Sequence, residues 1–236
     1  MKLGIMQPYF LPYIGYFSLI KHVDKYILFD TVQYMRHGWI ERNRVLKQNE
    51  GWQYIQVPLS KHGQKDLIKD VNINNATDWK AKILAQIQHY KKKAPFYFGT
   101  VKLLNEIFDN EYEDIVSLNH ASLEKVCQHL GINTTIEVFS KMNLDIEPAN
   151  APDEWALNIC KAIDGTTEYW NPTGGMSFFD RSKYENNNIK INFQQVNLSP
   201  YNQNRNEFEP GLSILDVLMF NSPEEINTML NDYTLL

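Results

Sequence analysis

From residue 2 the chain alternates short apolar runs with helical stripes. Leu3-Gly4-Ile5-Met6 is apolar throughout and closed by Gln7-Pro8, the pattern of a strand buried on both faces. From Tyr13 the apolar positions Ile14, Phe17, Leu19, Ile20 and Val23 follow helical spacing, with Pro12 near the first turn, where a missing N–H is harmless. Asp24 closes that helix, and Tyr26 to Phe29 reads as a second buried strand ending at Asp30. Strand, helix, strand is a βαβ unit. It predicts a parallel sheet whose ligands bind beyond the carboxyl ends of the strands. The segments 7–16 and 30–44 are therefore expected on one rim, enclosing a pocket.

Further on, 52–57 and 68–73 alternate in polarity and read as strands. Thr77 is the expected cap of a helix bearing Trp79, Ile83, Leu84, Ile87 and Tyr90 on one side. Lys91-Lys92-Lys93 then complements the macrodipole at a solvated helix end. Helices are expected over 98–109 and over 112–130 before Gly131, and a strand over 135–139. The loop 140–152, with its two prolines, is the best internal boundary, dividing a core of residues 1–150 from a smaller part of residues 151–236. That second part reads as a helix (153–163), a strand (167–170), a Gly- and Pro-rich turn (171–175), a strand (189–196) and helices over 213–220 and 222–232. The last helix opens with a capping box, Ser222-Pro223-Glu224-Glu225. The expected fold is α/β: a parallel-sheet, Rossmann-like nucleotide-binding core with additional helices and a small C-terminal α+β part.

Composition narrows the function. At 236 residues, 43% hydrophobic and 22% charged, the chain is an ordinary globular protein. A net charge of -5 argues against nucleic acid as partner. No run reaches the ~18 apolar residues of a membrane span and no signal-peptide pattern opens the chain, so a cytoplasmic protein is expected. Cys127 and Cys160 lack metal-ligand spacing and read as buried apolar residues in a reducing compartment. The 13% aromatic share fits either an aromatic core or stacking surfaces for a sugar or base.

Two stretches could carry chemistry. In "MQPYFLPYIGYF", Gly15 costs the helix about 0.5–1 kcal/mol against Ala, so a ligand, a neighbouring strand or tight helix packing must require it. Tyr13 and Tyr16 flank it at a helix N-terminus, where anions are favoured. Gln7, Tyr9, Tyr13, Gly15 and Tyr16 are the candidate phosphate or nucleotide contacts. In "FDTVQYMRHGWIERNR", Arg36, Arg42, Asn43 and Arg44 suit a diphosphate, and Gln33, Tyr34 and Trp39 a sugar or base. His37 or Asp30 is the candidate general base. The alternative is a set of surface arginines paired with Asp30 and Glu41, with Asp30 a strand-end turn residue. His22, His62 and His129 read as structural, whereas His89 and His120 stay open. The segment 168–180 is either a mobile flap or a hairpin loop. No Ser-His-Asp order, His-Glu-x-x-His motif or Walker loop is present.

Tyr13, Gly15 and Tyr16 occupy the positions of the His-x-Gly-His turn in nucleotidylyltransferases and pantothenate synthetases, which this turn resembles, as does Val32-Gln33-Tyr34. Both histidines are tyrosines here, and these offer no positive charge to a transferring phosphoryl group. The chain more closely resembles the WbqC-like family of bacterial O-antigen and polysaccharide gene clusters. The matching stretches are the two above, with "QHYKKKAPFY", "HLGINT" and "LSILDVLMFN". This resemblance implies a sugar-modifying enzyme of lipopolysaccharide biosynthesis. It would place an amino acid or acyl group on the amine of a nucleotide-linked amino sugar. The donor would be a thioester, or an acyl adenylate made in place from ATP and Mg2+. The alternative is a non-catalytic nucleotide-sugar-binding protein of the same pathway.

Overall fold

A computed structural model describes residues 1–63 and 65–236. A six-stranded sheet runs in the order β5 (Thr135–Val138), β2 (Lys25–Leu28), β1 (Lys2–Met6), β6 (Glu168–Pro172), β7 (Lys190–Val196), β8 (Tyr233–Leu235). All neighbours are parallel except β7 and β8. The α/β expectation holds, and strands from both sides of the 140–152 loop share the one sheet.

Both faces of the sheet are covered, because alternate residues of the central strands enter different cores. Tyr26 and Leu28 of β2 point with Trp170 of β6 into the larger one, built with α1 (Ile14–Lys21), α3 (Tyr97–Phe108), α4 (Ile115–Leu130), α7 (Ile214–Phe220) and α8 (Pro223–Leu230). Leu3, Ile5, Ile27, Phe29, Tyr169 and Phe193 enter the smaller one, under α5 (Glu154–Ala162) and α6 (Arg181–Glu185). Burial on both sides is why β1 and β2 read as unbroken apolar runs. Among the described residues no helix is long and apolar enough to cross a membrane.

The helix signals mostly hold. Gly131 ends α4 at φ 69, with the Ile132 N–H donating to the Cys127 carbonyl. Ser222 and Glu225 form the capping box of α8. The cap of α2 (Trp79–Ile87) is Asp78, which accepts from the Ala81 N–H, one residue beyond the expected Thr77.

Three elements depart from the pattern. Arg42–Leu46 is a strand, β3, paired antiparallel with β4 (Trp52–Gln56), where the pattern gave no strand. Its alternation is real but polar outward: Asn43 and Val45 are buried, while Arg42 and Arg44 are partly exposed. Ile68–Ile73 is not a strand. Ile68–Asp70 forms a 3-10 turn because the Ile68 and Lys69 N–H groups donate to the Val32 and Asp30 carbonyls beyond β2, leaving only isolated bridges at Asn72 and Ile73. The segment after β6 is a 3-10 turn, Thr173–Phe178, with Met176 and Phe178 exposed.

Candidate functional site

The two rim segments lie against each other. The Phe10 N–H donates to the Trp39 carbonyl at 2.8 Å, and the Asn43 amide to the Phe10 carbonyl at 3.1 Å. From α4, fully buried Asn119 donates to the carbonyls of Pro8 (2.9 Å) and Ile40 (2.8 Å). One amide thus ties the first turn to the arginine-rich segment.

The space beside Gly15, however, is filled. The ring of Tyr13 occupies it, so Gly15 serves close packing within its own turn rather than a ligand. The start of α1 is also covered, since Tyr13 bridges Ser213 and the Ile214 N–H donates to the Pro12 carbonyl. Tyr16 is core: its hydroxyl donates to the Gln7 carbonyl at 2.8 Å, its ring meets Tyr9 and Tyr26, and burial pushes its phenol far up. The cradle expected from Gln7, Tyr9, Tyr13, Gly15 and Tyr16 is therefore closed at this point.

Three more candidates are structural braces. Asp30 is 1% exposed, and its two oxygens accept from the Ser140 N–H (3.0 Å) and hydroxyl (2.5 Å), fastening the ends of β2 and β5. Each oxygen thus already holds one bond of the brace. Arg44 lies between the rings of Trp39 and Trp52 and donates to the Gly211 carbonyl at 3.0 Å. Asn43 is buried and bonded to Phe10 and Arg44. Gln33 bridges Leu67, and neither it nor Trp39 is among the described residues lining the hollow beside Arg42.

The open concavity lies on the other side of the arginine-rich segment, a hollow of about 510 Å³ between residues 34–42 and 56–62. Tyr34, Glu41 and His62 line it, Arg36, His37 and Lys61 stand at its margin, and Arg42 comes from the edge of β3. His37 has φ 66, a left-handed backbone that costs a non-glycine residue about 1 kcal/mol or more. Arg42 holds that turn by donating to the carbonyls of His37 (2.6 Å) and Gly38 (3.2 Å), with its guanidinium over the Tyr54 ring.

Two polar atoms of this lining, Glu41 Oε2 and His62 Nε2, are buried without a hydrogen-bond partner among the described residues. Glu41 is 4% exposed. Leaving such an acceptor unmatched costs about 1–3 kcal/mol, so a native site that keeps one has a use for it. His62 Nδ1 sits 2.9 Å from the Ser60 carbonyl, which can only accept; the Nδ1 proton is fixed and, in the neutral ring, Nε2 carries the lone pair. The Tyr34 phenol, edge-on to His62 at 4.7 Å, is pushed up by burial first and by the Glu41 charge second.

Sequence reasoning kept Arg36, His37, Tyr34 and Arg42 together and missed Glu41, Lys61 and His62. The available signal was the alternation of residues 42–46. Pairing it with residues 52–56 brings the segment after Val57 back beside Arg42. His120 faces away, its Nε2 donating to the Ile136 carbonyl on β5.

The WbqC-like family model matches residues 7–228, a span holding both rim segments and the hollow. The chain belongs to the WbqC-like protein family. A protein of Mycobacterium tuberculosis named "Uncharacterized protein Rv1507c" is 30% identical over 220 residues, covering 92% of each chain. No solved structure matches significantly.

Proposed function

We propose that this WbqC-like protein is an acyl or aminoacyl transferase of O-antigen or polysaccharide biosynthesis, acting on the amine of a nucleotide-linked amino sugar. The observation that carries this reading is a buried carboxylate, Glu41, beside the Tyr34 phenol and beneath a cationic margin, with Oε2 bonded to no described group. Arg36, Arg42 and Lys61 suit a diphosphate, while Glu41 suits an ammonium group. One ligand bearing both groups satisfies the hollow.

The chemistry then follows from the lining. His62 Nε2, or His37 at the margin, takes a proton from the substrate ammonium, and Glu41 holds the nitrogen in place. The freed lone pair attacks the acyl carbonyl. A C–N bond forms, the carbon–sulfur bond of a thioester breaks, and the thiolate leaves with the electron pair and takes up the second proton that the new amide nitrogen sheds. An acyl adenylate made in place would need ATP with Mg2+. The synthetase resemblance puts its phosphates beside Gly15, where the Tyr13 ring and the Ser213 segment now stand, so the residues present do not fit ATP there. The donor on this reading arrives already activated. A nucleotide-linked acceptor places the reaction in the cytoplasm.

The test is incubation with nucleoside-diphosphate amino sugars and acyl or aminoacyl thioesters, read by mass spectrometry. Acyl mass should appear on the sugar and vanish in Glu41→Gln and His62→Ala. A thermal shift from the nucleotide sugar with no mass gain, with thioesters or with ATP and amino acids, overturns the transferase and leaves a nucleotide-sugar binder.

A further inference from the structure

A second hollow, of about 540 Å³, opens at the far end of the β3–β4 hairpin, against the 3-10 turn Gln88–Lys92 that follows α2. Lys47 reaches it from the hairpin, and Lys91, Lys92 and Lys93 from the helical turn and its end. None of its lining residues is acidic, and among the described residues none of these four lysines enters an ion pair. In a chain of net charge -5 that is a marked local concentration of positive charge.

A lysine run that merely complements a helix dipole explains part of this. It does not explain Lys47, which comes from another element, nor the concavity between them. His89 adds an independent sign. Its Nδ1 is 3.0 Å from the Gln86 carbonyl, while Nε2 is buried beside the Leu46 backbone with no well-formed hydrogen bond among the described residues. Burial first, and then the charges of Arg205 and Lys93, hold the imidazole below its usual range, opposed by the backbone of Gln86 and Leu46. A neutral imidazole among cations is a group whose uptake of a proton from solvent an arriving anion would favour.

We propose that this hollow binds the phosphate groups of a soluble phosphorylated small molecule, at a site separate from the one at Glu41. Four lysines supply charge from two directions, and the carboxamides of Gln48 and Gln88 supply neutral donors beside them. His89 completes the set once it gains a proton.

Inorganic pyrophosphate is the probe, titrated into the full-length protein by calorimetry in buffers of different ionisation enthalpy, with the His89 ring followed by NMR. Saturable binding with proton uptake and a His89 pKa moved upward is expected. Lys91→Gln/Lys92→Gln/Lys93→Gln should weaken it about tenfold or more, and Lys47→Gln, on the hairpin, should weaken it too. Glu41→Gln should leave the His89 response to pyrophosphate unchanged, so this site and the transferase reading can fail separately. Equal response to sulfate at matched ionic strength, or an unmoved His89, overturns the proposal.

Discussion

The ring of Tyr13 lies where a side chain at Gly15 would stand: a β-carbon there would meet Tyr13 Cζ at 2.5 Å and its hydroxyl oxygen at 2.6 Å. A helical Gly→Ala change ordinarily gains about 0.5–1 kcal/mol. Here Gly15→Ala should instead lose about 1–3 kcal/mol, because the ring must leave its place. Tyr13→Ala combined with Gly15→Ala should cost less than the two single changes added. Urea unfolding measures all three, and a stabilised Gly15→Ala would show that the ring moves freely.

Asn119 supports two carbonyls that otherwise have no donor to replace it. Asn119→Ala should destabilise by about 2–4 kcal/mol, leaving the Pro8 and Ile40 oxygens buried and bare. The clamp holds the first turn on the arginine-rich segment, so hydrogen exchange of the Phe10 amide, bonded to Trp39, should accelerate beyond the global change. Uniform acceleration across the sheet would assign Asn119 to general packing alone.

Glu41→Gln keeps shape and removes a charge. Stability should hold or rise, since a buried charge with one oxygen, Oε2, left without a described partner is costly and the amide keeps an oxygen for the Tyr34 phenol. Affinity for a nucleotide-linked amino sugar should fall about tenfold relative to its hydroxyl analogue. If the variant still prefers the amine by the wild-type margin, Glu41 does not face the ammonium.

Lys183 bridges Asp153 at 3.1 Å and Glu154 at 2.8 Å, tying α6 to the start of α5. The Lys183 hydrogen bond, and then the Asn150 N–H, hold the Glu154 carboxyl below its usual range. A carboxylate with a depressed folded pKa contributes stability that is present above its unfolded value of about 4.3 and is lost as pH falls through the folded one. The stability gap between wild type and Lys183→Met should therefore be constant near neutrality and close below about pH 4. A gap independent of pH would make it a packing effect.

What could be seen beforehand was whatever the strands wrote in apolar residues. β1, β2 and the long helices are legible because burial on both faces, or on one stripe, leaves no choice of residue type. β3 was hidden since its outward residues are the arginines Arg42 and Arg44, which cover aromatic rings rather than meet water freely. Ile68–Ile73 misled in the opposite sense: its alternation is real, but its N–H groups already have partners at Asp30 and Val32. The site divided similarly. Arg36 and His37 announce themselves by charge density, whereas His62 matters only through a missing partner, which no linear pattern can display.

The placement of β1 between β2 and β6, in register from Lys2 with Glu168 to Gly4 with Trp170, has a consequence for synthesis. When the ribosome has made only the segment up to the 140–152 loop, β1 has one neighbour and a bare edge facing the cell. Such an intermediate invites pairing between nascent chains, so slowing elongation before β6 emerges should raise the aggregated fraction, and chaperone capture of the growing chain should lower it.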